Sequence, residues 1–257
     1  MSIVGIVVFV PLAALVLSLR GITPAGFLTT AFSGEALAAY RLSFGCAILA
    51  SAIDVVAGLA IAAAIVRYPS GGMRALDALV DVPFALPPAV TGITLATLYG
   101  PHGWIGSWLI AHGFAIAYTP AGIVLALAFV GMPFVVRTVQ PVIAALPREF
   151  GHAAASLGAT PFTVLRRITL PLIAPALLTG FALALARTLG EYGSVIFIAG
   201  NMPGKTEVIP LIIVTRLEQY DFAGAAAIAL VSLLVSFVML LAINALQRRL
   251  LDARSAA

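Results

Sequence analysis

The sequence predicts an all-α, polytopic membrane protein with six transmembrane helices. Three observations lead there. Hydrophobic residues make up 62% of the 257 positions and charged residues only 9%, against about 25% charged in soluble domains. The mean hydropathy is +1.12. The apolar residues gather in runs of the roughly 20 residues that cross a bilayer core, joined by short polar stretches, and six such runs leave no room for a second soluble domain of useful size. The lone Cys46 excludes an internal disulfide and says little about compartment. A net charge of +4 matters less than where the charges lie.

Span one covers about Ile3–Leu19. It lacks a basic leader region and a small-residue cleavage site, so it reads as an anchor, not a signal peptide. It starts almost at the first methionine, which leaves a longer natural N-terminus open. Gly21–Tyr40 reads as a loop of mixed polarity, and span two, about Leu42–Val66, carries Asp54. A turn at Arg67–Gly72 leads to span three, about Val80–Tyr99, where Pro83, Pro87 and Pro88 predict a late start or a bend. Gly100–Tyr118 reads as a loop whose Trp104 and Trp108 are spaced like an interfacial anchor. Span four is about Pro120–Val139, with Pro133 inside it. Span five, about Leu172–Ala199, contains Arg187 and Glu191. The Asn201–Asp221 loop holds an apolar stretch, Val208–Leu217, that reads as a short interfacial helix, and span six is about Phe222–Leu246.

Six spans place both termini on one side. Arg67, Arg74, Arg148, Arg166, Arg167, Arg248, Arg249 and Arg254 share that side, and Arg20, Arg41, Lys205 and Arg216 the other. Eight against four puts the termini in the cytoplasm.

Between spans four and five lies the longest stretch that is neither an apolar run nor a simple turn, Pro147–Pro171. Its grammar predicts two short helices around a glycine. Pro147 suits a first turn, alanines at 153–155 favour helix, and Gly158 supplies the left-handed residue that ends one. Thr160-Pro161 restarts a helix, and Arg166 and Arg167 fall near its end. A compact alanine-faced hairpin of this kind suits docking into a groove on another protein.

On these residues the loop resembles the cytoplasmic E-A-A loop of type I ABC importer permeases, whose transmembrane domain is called MetI-like. Ala153, Ala154, Gly158, Ile168, Leu170 and Pro171 hold the pattern's positions; His152 stands where the pattern has glutamate, and Glu149 lies one turn earlier. Further stretches resemble the sulfate/thiosulfate branch and its T-type permease: D-V-P-F-A-L-P-P-A-V-T-G at 81–92, M-P-F-V-V-R-T-V-Q-P-V at 132–142, L-G-E-Y-G-S-V-I-F-I-A-G-N at 189–201, K-T-E-V at 205–208 and L-E-Q-Y-D-F-A-G-A-A-A-I-A at 217–229. The molybdate/tungstate branch shares the span-five G-E-[FY]-G stretch and is the alternative.

The resemblance implies three parts: a first helix and periplasmic loop at 1–39, the permease domain at 40–247 with coupling loop 147–171, and a basic cytoplasmic tail at 248–257. It implies a bacterial inner-membrane half-channel that is not an enzyme and binds no cofactor, ATP being used by a partner. The partners implied are a W-type second permease (or a second copy of this chain in the alternative), two copies of a cytoplasmic ABC ATPase, a periplasmic sulfate/thiosulfate-binding protein and the lipid bilayer, with no nucleic acid.

Other constellations have plainer readings. A-G-N-M-P-G-K-T at 199–206 fits a relaxed phosphate-loop pattern, but a span precedes it and Pro210 interrupts the helix that should follow. Arg187 and Glu191, four apart, would share a helix face, either as an ion pair fixing the bundle or as the lining of an anion path with Tyr192 and Ser194. Asp54 reads as an interior hydrogen-bonding group, and Arg137 as a residue that snorkels or caps span four. His102, His112 and His152 are too scattered for a metal site.

Overall fold

A computed structural model describes residues 2–255, with the side chains of 2–4, 8, 148, 150, 152 and 250–255 left out of the account. It is all-α, and no strand occurs among the described residues. In order the helices are α1 (Ser2–Leu17), α2 (Pro24–Ala31), α3 (Gly34–Arg67), α4 (Gly71–Val80), α5 (Val82–Ala85), α6 (Pro88–Tyr99), α7 (Trp104–Ala111), α8 (Pro120–Ala144), α9 (Arg148–Ser156), α10 (Pro161–Val164), α11 (Leu170–Leu189), α12 (Val195–Ala199), α13 (Ile209–Glu218) and α14 (Phe222–Ser255). A π-helical turn, Leu165–Thr169, joins α10 to α11.

Among the described residues, four helices are long and apolar enough to cross a membrane: α3, α8, the stretch from α10 through α11, and α14. Span three differs from a straight helix. Pro83 sits in the first turn of α5, Leu86 turns extended (φ −83°, ψ 131°), and the chain bends by 112° before α6. The prolines thus bend it as the sequence predicts. At 16 residues, α1 measures about 24 Å, less than the roughly 30 Å of a hydrocarbon core.

Two loops expected from the sequence, and the stretch that follows the Arg67–Gly72 turn, are helical. Within Gly21–Tyr40, Thr23 caps α2 by accepting from the Gly26 amide at 3.0 Å, and α3 already begins at Gly34. Ser70 caps α4 in the same way, accepting from Met73 at 3.4 Å. Trp104 and Trp108 lie on α7, both exposed, as interfacial anchors would be. Span five is shorter than expected, because α11 stops at Leu189 and residues 190–194 leave the helix before α12.

The chain forms two compact units, each assembled from three sequence segments, with α3, α8 and α14 contributing to both. The first unit (Met1–Ala47, Pro88–Ala126, Leu189–Met239) packs Ala36, Ala39 and Tyr40 against Ile209, Ile212 and Ile228. The Val208–Leu217 stretch is therefore helical as expected, but its Ile209, Leu211 and Ile212 are core residues. Ser43 Oγ accepts from the Ile209 amide at 2.8 Å, supplying one of the unpaired donors at the start of α13. The second unit (Ile48–Pro87, Leu127–Thr188, Leu240–Ala257) has its own core of Ala62, Val80, Val135, Val136, Val139, Ile173 and Ala184. Small residues allow close approach there: a Cβ at Gly58 would lie 2.9 Å from Val135, and one at Gly180 3.1 Å from the Val135 backbone.

Candidate functional site

The 147–171 segment is built from its caps. Pro147 is the N-cap of α9, one position earlier than expected, and α9 ends at Ser156. Gly158 has φ +83°, the left-handed conformation predicted for it, and open space surrounds the position a Cβ would take. Thr160 Oγ1 accepts from the Thr163 amide at 3.3 Å, so the predicted second cap is present. The second helix is not a separate element of the hairpin. It continues through the π turn into α11, and Arg166 and Arg167 fall inside that turn. Pro171 has no N–H for the Arg167 carbonyl and its ring crowds that oxygen; the turn widens so that Leu170 donates to Leu165.

The segment exposes apolar side chains: Leu157 is 88% and Phe162 69% exposed, with Leu165 beside them. Glu149, Ala153 and Pro171 are exposed, and Ala154, Ile168 and Leu170 half-buried. The His152 side chain lies outside the described residues.

The span-five residues take a different arrangement from the one their spacing suggests. Arg187 lies in the last turn of α11, but Glu191 lies beyond the helix end, so the four-residue spacing does not place them on one helical face. Glu191 instead closes a turn: its Oε1 accepts from the Ser194 amide at 3.0 Å and from Ser194 Oγ at 2.9 Å, and both residues are buried. Tyr192 is half-buried. This turn presses on the start of α6. A Cβ at Gly193 would come within 2.7 Å of Pro88, and one at Gly92 within 2.8 Å of Ser194 Cα.

Two charged residues differ from their expected roles. Arg137 does not cap α8, which runs on to Ala144. Its guanidinium forks onto Asp81 (Nε to Oδ1 2.8 Å, Nη2 to Oδ2 2.7 Å) and reaches Asp77 and Gln140, tying α8 to α4 and its C-cap. Asp54 is interior, yet neither carboxyl oxygen has a hydrogen-bond partner, and Ser51 Oγ one turn earlier has none either. Its side chain fills the space over Gly131, where a Cβ would land on Oδ2. The phosphate-loop lookalike is a closed turn: Lys205, Thr206 and Glu207 all donate their amides to the Met202 carbonyl, leaving no cradle for a phosphate. No cluster that could hold a metal occurs among the described residues.

Residues 54–252 match the family model described as "Binding-protein-dependent transport system inner membrane component". The chain belongs to this family. Among individual members of this transport family, it is 48% identical over 221 residues (86% of this chain, 78% of the relative) to the "Probable sulfate transport system permease protein cysT" of Nephroselmis olivacea. It is 44% identical over 246 residues (96% and 89%) to the "Sulfate transport system permease protein CysT" of Escherichia coli. The fold matches a solved bacterial ABC transporter involved in alginate import, with TM-score 0.76 at 20% identity, covering 96% of this chain and 92% of that one. It also matches the MetNI methionine ABC transporter, TM-score 0.62 at 17% identity, covering 82% and 94%. As a member of a multi-pass permease family, the chain is a membrane-embedded transport component.

Arg137 and its acidic partners are the residues that sequence reading missed. The signal was present as D-A-L-V-D at 77–81, two carboxylates four apart that share one helical face.

Proposed function

We propose that this chain is the membrane-spanning permease subunit of an ATP-driven importer for sulfate and thiosulfate, forming half of the translocation pathway. It hydrolyses nothing itself; a partner ATPase drives it through the 147–171 loop. The observation that carries the coupling is the exposure of Leu157 and Phe162 on a short capped segment, an apolar surface suited to a groove on another protein. The sulfate names borne by relatives at 41–48% identity favour sulfate over molybdate. The partners are a second permease, two ATPase copies and a periplasmic binding protein that delivers the oxyanion. Both termini lie in the cytoplasm of a bacterial cell, on the side of the 147–171 loop, as the arginine distribution indicates. Arg187, with the Glu191–Ser194 turn beyond it, marks the candidate translocation path.

Uptake of labelled sulfate by a transport-deficient strain supplied with this chain and its partner genes tests the reading. Uptake that thiosulfate inhibits and a tenfold excess of molybdate leaves intact is expected; uptake of molybdate in preference to sulfate would overturn it.

A further inference from the structure

In the first unit, α3 and the turn before α13 enclose a shallow depression of about 370 Å³, lined by Ala38, Arg41, Leu42, Gly204, Lys205 and Glu207. It offers room for a small anion with part of its hydration shell. Its charges are unusual in their pairing. Arg216, on α13, is engaged by Asp221 at 2.9 Å and Glu35 at 3.7 Å. Arg41 and Lys205 have no carboxylate at ion-pair distance among the described residues. Glu207 is 5% exposed, and its Oε2 has no hydrogen-bond partner. The turn that carries Lys205 and Glu207 is rigid, held by the three amides on Met202 and by Thr206 Oγ1, which accepts from the Met202 amide at 3.0 Å.

We propose that this depression is a weak oxyanion-binding site, in which Arg41 and Lys205 hold the anion and the protonation of Glu207 sets the field they exert. The inference deepens the sulfate reading above and rests on it for the identity of the anion. With Glu207 ionised, the charges of Glu35, Arg41, Lys205, Glu207, Arg216 and Asp221 cancel. With Glu207 neutral one positive charge remains, and the lining itself carries two, matched to a dianion. Burial pushes the Glu207 carboxyl up, the Glu35 carboxylate adds to this, and Arg216 offsets part of it. An anion bound beside Glu207 raises it further, so binding and proton uptake reinforce each other. The site stays weak because its cations are exposed: through water, one unit charge at about 4 Å changes affinity by about fivefold. Weakness suits a waystation, since a tight site would trap the ion it must pass on.

The test uses the whole complex in nanodiscs of neutral lipid, without the delivery protein, and measures equilibrium binding of labelled sulfate at pH 7.5 and pH 5. Millimolar binding is expected, tighter at the lower pH. Glu207→Gln should hold the affinity at its acid value at both pH values. Arg41→Ala and Lys205→Ala should each weaken binding about fivefold, in complexes that still co-purify with their partners. Unchanged binding in the Arg41→Ala/Lys205→Ala double variant, or a retained pH response in Glu207→Gln, overturns the proposal. So does a wild-type depression that retains phosphatidylglycerol in place of sulfate, which would make it a lipid-headgroup site. Uptake of sulfate supplied by the delivery protein, measured in the same preparation, is the separate control: its absence counts against the permease reading, whereas normal uptake without the binding pattern counts against this site alone.

Discussion

Arg137 holds two carboxylates with one planar group, a geometry a lysine ammonium cannot copy. The cluster is a third to a half exposed, so solvent screening limits its worth. Arg137→Lys should cost about 1–2 kcal/mol, read as a drop of about 4 °C in the melting temperature of the purified complex. Arg137→Ala should cost more, because Asp77 and Asp81 are then left facing each other. Gly131 makes a sharper prediction. Gly131→Ala forces a methyl onto Asp54 and should cost about 1–3 kcal/mol, while Asp54→Ala in the same chain should recover most of it. Additive losses in that double-mutant cycle would contradict the packing described. The paired carboxylates at 77 and 81 were legible in the D-A-L-V-D spacing, but the meeting of Gly131 with Asp54 was not. Asp54 announced itself as a buried acid, but its neighbour comes from a segment some 77 positions away, and no periodicity encodes such a meeting. The left-handed Gly158 was legible, because a glycine after an alanine helix has few other uses.

At the scale of elements, local chemistry carried the caps and prolines, and tertiary packing decided the rest. Thr160 and the Pro83–Pro88 bend follow from side-chain chemistry acting within a few residues. The end of α11 at Leu189 was hidden, since L-G-E-Y-G-S is apolar enough to continue a span, and only the seating of Gly193 and Ser194 against α6 explains the break. Likewise α13 looked interfacial because an amphipathic stretch reads the same whether a bilayer or a protein core covers it. Two predictions belong here. Leu157→Asp, at an exposed position of the 147–171 segment, should on the proposed function leave membrane insertion intact and lower transport-coupled ATP turnover about tenfold; unchanged turnover would argue that this surface meets no ATPase. The junction of α13 and α14 should be acid-sensitive. The Arg216 hydrogen bond, then the Gly224 amide, hold the Asp221 carboxyl below the ordinary Asp range. Its contribution is complete above about pH 4 and lost as pH falls through the lowered value. Asp221→Asn keeps an acceptor for Gly224 but not the charge, so the melting temperature of the variant should fall less steeply on acidification below pH 4.

For the whole molecule, composition settled the class, and motif register on the 147–171 loop pointed to the family that residues 54–252 match. The division into two units could not be read off, because each is stitched from three distant segments and long helices serve both. Within the second unit, small residues let helices approach closely, as at Gly58 and Gly180. On the proposed function the chain is a passive bundle driven through one loop, so altering that loop must abolish uptake and break its link to hydrolysis. Gly158→Trp is the probe: the left-handed backbone disfavours any side chain by about 1–2 kcal/mol, and the open space around it means that the ring would project toward a docked partner. Proteoliposomes holding the full complex, supplied with the binding protein and labelled sulfate, allow ATP hydrolysis and uptake to be followed together. The account predicts tightly linked sulfate uptake and hydrolysis in the wild type, and loss of uptake with residual, sulfate-independent hydrolysis in Gly158→Trp. Normal uptake by the variant, or wild-type uptake that proceeds without ATP, would contradict it.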